Sequence, residues 1–507
     1  METYDLIVIG AGVGLNIING ALRRGLKVAV IEKGKVGGTC LTRGCIPSKI
    51  LVYPADVIRE AQHANKVGLD IKIQNVDWNM IAKRMWSQID HSKQMKQGLK
   101  HTPNLRFFDG TAEFIAEYTL KVKQNNGGES KPFKGDKIVI ASGARSLIPP
   151  IKGLEETGYI TNESFFGDKF PKKPWKSLII IGGGIIAAEF AHIFSAFGTD
   201  VTIIEMLPNL LNTEEPEISE FVEKEFKKHM TVLTNKKAIA TSKEKGVKVV
   251  TVEDTESGKT SKVKGEEIFV ATGRKSNTDL LKVEKSGIEM DKRGWIKIND
   301  YLETNKKNIW CIGDANGKYQ FRHKANYEAE ILENNLWAEK DGKHLIDYST
   351  TPWAIYTWPQ VAHVGMTEQE ALDGEFKIYT AINHYSEVAK GFAMGYEEGA
   401  DDDGFVKLII NRDRTILGAH IVGQFATVLI QQFVYLMNAG YACKLEPEKA
   451  MDQIPKPERA CPTAGSFIPI YRSQVIHPSI NEVAAWALGN IKPVNIEQQE
   501  HYHHHDH

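Results

Sequence analysis

Cys40 and Cys45 stand five residues apart in the run Gly37-Gly-Thr-Cys-Leu-Thr-Arg-Gly-Cys-Ile-Pro-Ser-Lys49. On an ideal helix five residues rise by about 7.5 Å, more than the roughly 4.4–6.8 Å between Cα atoms that a disulfide spans. A bridge between them therefore requires a distorted first turn, which Gly44 and Pro47 can provide. A distorted, accessible disulfide at a helix start is of the labile, redox-active kind. Half of a zinc site, or two inert buried thiols, are the other readings of such a pair. Cys311, Cys443 and Cys461 are scattered and complete no second ligand pair, so no metal site is expected. Five cysteines in 507 residues are no disulfide scaffold.

A redox pair needs an electron partner, and two segments share a layout that could hold one. The first runs from Asp5 through Gly10, Gly12 and Gly14 to a VAVIE strand ending at Glu32. The second runs from Leu178 through Gly182, Gly183 and Gly184 to a VTIIE strand ending at Glu205. First glycine and acid are 22 residues apart in one copy and 23 in the other. Each copy reads as a buried parallel strand, a glycine turn, a helix and a second strand. Small residues let backbone N–H groups approach a pyrophosphate at the helix N-terminus, and the acid accepts hydrogen bonds from ribose hydroxyls. The bland alternative is a pair of close-packed turns without ligand. The third fingerprint position is Leu15 in the first copy, which predicts looser helix–strand packing there; it is Ala187 in the second. Glu205 suits a free 2′-hydroxyl and repels a 2′-phosphate. The following MLPNLLN offers no arginine for that phosphate, so NAD is expected rather than NADP.

These units need a frame. Residues 49–100 read as helical, with an amphipathic stretch over Trp78–Leu99, followed by strands at LRFFDGTAEFI, TLKVKQ and DKIVIASGA. Strands at KVVTVED and EEIFVATGR follow the second unit, the chain returns to the first fold through NIWCIGDANG, and an α+β section begins near Thr350. The fold class expected is α/β: two Rossmann-like dinucleotide-binding domains plus a C-terminal α+β dimerisation domain. The divisions are 1–150, 151–275, 276–349 and 350–488, with a His-rich tail over 489–507. A balance of 63 basic and 64 acidic residues is not built to grip nucleic acid or an anionic membrane. The most apolar stretch, Ser177–Gly198, carries Glu189, His192 and three glycines and reads as a buried strand-turn-helix. The N-terminus lacks the basic and apolar segments of a secretory signal, so a cytoplasmic location is expected. The final HYHHHDH has metal-binding composition, but a disordered tail is the preferred reading.

The chain resembles the class I pyridine nucleotide–disulfide oxidoreductases, and within them the dihydrolipoyl dehydrogenases, from Asp5 to about Leu488. The resemblance rests on GGTCLTRGCIPSK, GGGIIAAE, ATGRKSN at Ala271–Asn277, CIGDA around Asp314, RHKANYE near His323, AIYTWPQVAHVGMTE at Ala354–Glu368 and VIHPSINE at Val475–Glu482. It implies FAD on the first fold and a nicotinamide nucleotide on the second. It further implies that Asp314 binds the ribityl chain, and that Thr39, Ala112, Ser142 and Gly143 line the FAD site. Gly273 would approach the nicotinamide nucleotide, and Lys49 would pair with Glu189 near the flavin. Cys40 is then the interchange thiol and Cys45 the flavin-facing one. His477 is the base, its imidazole held by Glu482, and it enters the partner subunit's site in a homodimer.

Two departures stand out. Thr42-Arg43 replaces the Asn-Val common in lipoamide-linked members; Arg43 reads as a solvated charge, or else as a guide for an anionic disulfide. A proline-rich stretch over 454–471, carrying Cys461, reads as an insertion near the dimer and substrate mouth. Because Glu205 suits NAD and Ile185 stands where glutathione reductases carry a gating Tyr, the expected substrate is dihydrolipoamide. The expected partner is a lipoyl domain of a 2-oxoacid dehydrogenase or of the glycine cleavage system. An NADH-linked reductase of a small cellular disulfide is the alternative within the class. A non-catalytic flavin-bearing or metal-binding subunit is the alternative outside it.

Overall fold

The DLIVI segment forms a strand, Glu2–Ile9, whose last four residues are all buried, as expected of a parallel strand covered on both faces. In the computed structural model, which describes residues 1–339, 342–412, 415–439, 469–470 and 473–478, it is central to the first sheet. The parallel strands lie in the order Leu105–Ala116, Val28–Glu32, Glu2–Ile9, Phe133–Ile140, Ile309–Cys311. The last comes from the return segment, so the first fold is closed only after the chain has built the second. Thr119–Gln124 adds an antiparallel strand between Leu105–Ala116 and the start of Phe133–Ile140. Glu482, Cys443, Cys461, most of the 454–471 stretch and the 489–507 tail lie outside the described residues.

The second fold repeats the plan with parallel strands in the order Glu267–Val270, Ser177–Ile181, Asp200–Ile204, Thr231–Leu233. An antiparallel sheet of Lys236–Glu244, Val247–Asp254 and Thr260–Gly265 is inserted before the last of these in sequence. Only its middle strand is legible in the sequence, because the outer two each bury a single residue and carry little apolar alternation. The two passages between the folds are stitched together: Ala144–Ser146 pairs with Arg274–Ser276, and Arg145 binds Asp279 through both guanidinium nitrogens at 2.9 and 2.6 Å. The C-terminal section is a five-stranded antiparallel sheet in the order Pro352–Ile355, Gln360–Gly365, Ile416–Gly423, Phe405–Asn411, Ile378–His384. Helix Ala426–Asn438 belongs to the same section.

The looser packing predicted from Leu15 is not found. A Cβ on Gly14 would come within 2.4 Å of the Gly10 carbonyl oxygen and 2.5 Å of the Val8 side chain. Gly14 thus provides the close approach one position earlier, and the helix begins at Leu15. Gly10 and Gly182 repeat one another closely. They have φ of 108° and 115°, and a Cβ on either would meet the carbonyl of Ala141 or Ala271 within 2.4 Å. One continuous core joins the pieces, with Leu51 and Val52 from the cysteine helix, Ala188 from the second fold, Ile355 from the C-terminal sheet and Ile476. Among the described residues no helix is long and apolar enough to cross a membrane.

Candidate active site

The CLTRGC run folds as two helices. Gly38–Arg43 ends at Gly44, and Cys45–His63 starts anew. This break is the distortion that the cysteine spacing requires. A Cβ on Gly44 would lie 3.0 Å from the Thr39 carbonyl oxygen, so a small residue suits the turn. The structure holds the dithiol form, and the two thiols are hydrogen-bonded to each other. That bond pulls Cys45 down to about 7 against the opposing effect of burial, with help from the charges of Lys49 and His477. Cys40, as its hydrogen-bonding partner and itself buried, is pushed up. The pair is therefore polarised, with the thiolate at Cys45. Cys311 is fully buried and its thiol is pushed up by desolvation, which leaves it inert.

Lys49 lies one helical turn beyond Cys45, on the same face. Its ammonium binds both carboxylate oxygens of Glu189 at 2.7 Å and sits 4.4 Å from the centre of the Tyr356 ring. Glu189 belongs to helix Ile185–Ala196 of the second fold, so this pair crosses from one nucleotide unit to the other. Ile185 opens that helix, one turn before Glu189. Tyr356 also donates its backbone N–H to Glu189 at 3.2 Å and its hydroxyl to the Pro478 carbonyl at 2.6 Å. His477 donates its backbone N–H to His323 Nδ1 at 3.4 Å, and His323 Nε2 lies 2.6 Å from the Pro352 carbonyl. Burial lowers His323 to about 4, consistent with a neutral ring that donates through Nε2 and accepts through Nδ1. The His477 segment thus reaches the dithiol of its own chain, where the sequence led us to expect it in a partner's site. Tyr356 and His323 lie within AIYTWPQVAHVGMTE and RHKANYE, but only the fold shows that they seat this segment.

Above the dithiol opens a cleft. Gly10, Gly12, Glu32, Thr39, Ala112, Ser142, Gly143 and Asp314 all line it, together with both cysteines. Gly14 and Lys49 stand behind this lining, the first packing the helix and the second engaged with Glu189. Glu32 is braced by the N–H groups of Ala11 and Gly34, each at 2.7 Å. Asp314 follows Gly313, whose N–H donates to Glu328 at 2.6 Å. Glu328 is itself held by Lys324 at 2.9 Å, a pair with no solvent exposure. The residues present fit a dinucleotide. Ser142 Oγ is buried without a hydrogen-bond partner, and a Cβ on Gly143 would meet nothing within 4 Å. The N-terminus of helix Arg322–Asn335 also faces the cleft, which favours negative charge there.

Arg43 is half-buried and lines the same cleft as the two cysteines; its Nε is buried without a hydrogen-bond partner. Lys33 lines the cleft beside it and is lowered by burial and by the Arg43 charge. In the second fold, Glu205 accepts the Leu207 N–H at 2.8 Å and lies against Gly183. Gly184 and Gly273 leave open space, the latter with φ of 122°.

Residues 4–329 match the pyridine nucleotide-disulphide oxidoreductase family, and residues 351–458 match its dimerisation domain, which indicates a homodimer. The chain is 32% identical to a mycothione reductase of Mycobacterium tuberculosis over 450 residues, covering 87% of this chain and 94% of that protein. It is 30% identical to a dihydrolipoyl dehydrogenase of Chlamydia pneumoniae over 505 residues, covering 97% and 98%. A Cu(II) complex of the HOCl-induced flavoprotein disulfide reductase RclA from Escherichia coli superposes with a TM-score of 0.73 at 26% identity, covering 97% of this chain and all of that one. Members of the family use FAD and NAD(P)H. The chain belongs to the class I pyridine nucleotide–disulfide oxidoreductases.

Proposed function

We propose that the chain oxidises dihydrolipoamide with NAD, as a dihydrolipoyl dehydrogenase. The observation that carries the reading is the polarised Cys40–Cys45 pair on the wall of a dinucleotide cleft, backed by the Lys49–Glu189 ion pair. FAD, when bound, accepts an electron pair from the dithiol side and passes it to the nicotinamide nucleotide as hydride. The chain's own residues do the rest. With Cys40 and Cys45 joined as a disulfide, His477 takes a proton from one substrate thiol, and the resulting thiolate attacks Cys40. The Cys40–Cys45 bond breaks, a mixed disulfide forms, and Cys45 leaves as the thiolate favoured by its surroundings. His477 releases that first proton to solvent and takes the proton of the second substrate thiol, whose thiolate attacks the substrate sulfur bonded to Cys40. This attack closes the cyclic disulfide, and the freed Cys40 takes a proton from the His477 imidazolium. Gly10, Gly12, Gly14, Glu32, Thr39, Ala112, Ser142, Gly143 and Asp314 hold FAD on this reading. Gly182, Gly183, Gly184, Glu205 and Gly273 hold NAD, with the Glu205 carboxylate selecting against NADP.

Dihydrolipoamide is favoured over an anionic small disulfide because Glu205 suits NAD, and on this reading Arg43, which lines the dinucleotide cleft, serves the cofactor. The macromolecular partner is then a lipoyl domain, and the site of action cytoplasmic. Reduction of a small disulfide is the second reading, supported by the identity to a mycothione reductase. Intact Cys40, Cys45, Lys49 and His477 speak against a non-catalytic subunit. Stopped-flow reduction of the FAD-loaded enzyme decides between the first two. Dihydrolipoamide is expected to reduce it at least about a hundredfold faster than monothiols. His477→Gln should slow that step by about 10²–10⁴ while electron transfer from NADH to a dye is retained. A small thiol outpacing dihydrolipoamide would overturn the lipoamide assignment.

Arg43→Val should weaken FAD binding by about tenfold or more, from the loss of a charge-assisted contact of roughly 1.5–3 kcal/mol. The check is titration of apoenzyme with FAD. On FAD-saturated enzyme KM for any disulfide should stay unchanged; a raised KM for an anionic disulfide would restore the second reading.

Tyr356, His323 and Gln431 hold the segment through its backbone N–H and C=O groups, which the identical segment of a partner carries too. We propose that the homodimer exchanges it. A His477→Gln subunit paired with a Cys45→Ser subunit should then recover about half the wild-type activity, because one site carries both lesions and the other neither. Confirmed heterodimers without activity would mean that each chain fills its own seat.

A further inference from the structure

Glu214, His363 and His420 meet in the described core, and none of them lines the dinucleotide cleft. His363 and His420 stand directly opposite each other on strands Gln360–Gly365 and Ile416–Gly423, with ring centres 4.1 Å apart. Glu214 comes from the second nucleotide-binding fold, just ahead of helix Pro216–Lys227. The three are 6%, 1% and 0% exposed in the order Glu214, His363, His420. One ligand atom from each lies within 4.8 Å of the others.

The hydrogen bonds fix which atoms are available. His363 Nε2 lies 2.9 Å from the Gly365 carbonyl oxygen, and His420 Nε2 lies 2.9 Å from that of Met366. A carbonyl only accepts, so each Nε2 carries a hydrogen, and in the neutral ring Nδ1 is then a lone pair. His420 Nδ1 is buried with no hydrogen-bond partner. His363 Nδ1 lies 3.2 Å from Glu214 Oε2, an acceptor facing an acceptor. Glu214 Oε1 is engaged by Trp353 Nε1–H at 2.7 Å, which leaves Oε2 as the free oxygen. A proton on His363 Nδ1 would relieve one contact and still leave the buried His420 Nδ1 unmet. A divalent cation satisfies all three atoms. Histidines whose second nitrogen is tied to a backbone carbonyl, beside a carboxylate held by its own donor, have the outer-shell arrangement of metal ligands.

We propose that Glu214, His363 and His420 bind a divalent cation of the zinc class through Oε2 and the two Nδ1 atoms, with a fourth tetrahedral position left for water. The adjacent group Glu215, Glu217 and Glu368 is not a second site: the Lys407 ammonium already occupies it at 2.7, 2.9 and 2.8 Å. Glu215 also lies 3.7 Å from His420 Nε2 and adds to its hold on that hydrogen. The bound cation would clamp the second nucleotide fold to the C-terminal sheet.

The test uses full-length, FAD-loaded enzyme with Cys40 and Cys45 kept as the disulfide, so that the dithiol does not compete. The protein is stripped with a chelator, equilibrated with Zn²⁺, and its zinc counted by plasma emission. Wild type should retain one zinc per chain more than His420→Gln or Glu214→Gln; zinc held by the His-rich tail is common to all three and cancels. Glu214→Gln keeps an acceptor for Trp353, so it carries the comparison if His420→Gln does not load FAD. Zn²⁺ should raise the Tm of wild type and leave that of the variants unmoved. Equal zinc content in all three proteins overturns the proposal. So does wild type that, given Co²⁺, lacks the strong visible bands of a four-coordinate site, a result that needs no variant.

Discussion

The bidentate contact between Lys49 and Glu189 is the interaction on which the rest of the site depends. Its two partners come from different nucleotide-binding folds, so it forms only when both are complete and correctly docked. Removing either would leave a largely buried charge alone, which typically costs about 3–5 kcal/mol. The same ammonium lies one turn from Cys45 and faces the Tyr356 ring, and Tyr356 in turn holds Pro478 and so the His477 segment. One ion pair thereby sets the electrostatics of the thiolate, the docking of the two folds and the seat of the base.

A second constraint is steric. A Cβ on Gly38 would come within 2.7 Å of the Gly12 Cα, and the Gly37 N–H donates to the Ala11 carbonyl at 2.7 Å. The first glycine turn and the start of the cysteine run are packed backbone to backbone. A pyrophosphate held by the one is therefore held against the other, which is how Thr39 and both cysteines come to share a wall with Gly10 and Gly12. The return strand Ile309–Cys311 completes the opposite wall by carrying Gly313 and Asp314 to the cleft, fixed through the buried Lys324–Glu328 pair.

Much of this was legible in the sequence because it is local. The strand-turn-helix units, their acids and the broken helix between the cysteines each follow from residues close together in the chain. What was not legible is what tertiary contact decides. Arg43 reads as exposed in a polar loop, yet the helix Gly38–Arg43 places it one turn from Thr39, on the cofactor side. Gly14 takes the packing role that the fingerprint assigns to the position of Leu15. The outer strands of the inserted sheet lack an apolar face of their own. Glu214, His363 and His420 are far apart in sequence, and only strand register and the docking of two folds unite them.

The central claim is that Cys45, made a thiolate by Cys40 and Lys49, exchanges electrons with a nicotinamide nucleotide through FAD. Anaerobic addition of NADH to the FAD-loaded enzyme tests it most directly. The account predicts uptake of two electrons and a long-wavelength absorbance band from thiolate beside flavin. The band should be weak at acid pH, grow as pH rises through about 7, where Cys45 ionises, and be absent in Cys45→Ser. Flavin that NADH leaves unchanged, or a band that survives the loss of Cys45, would contradict it.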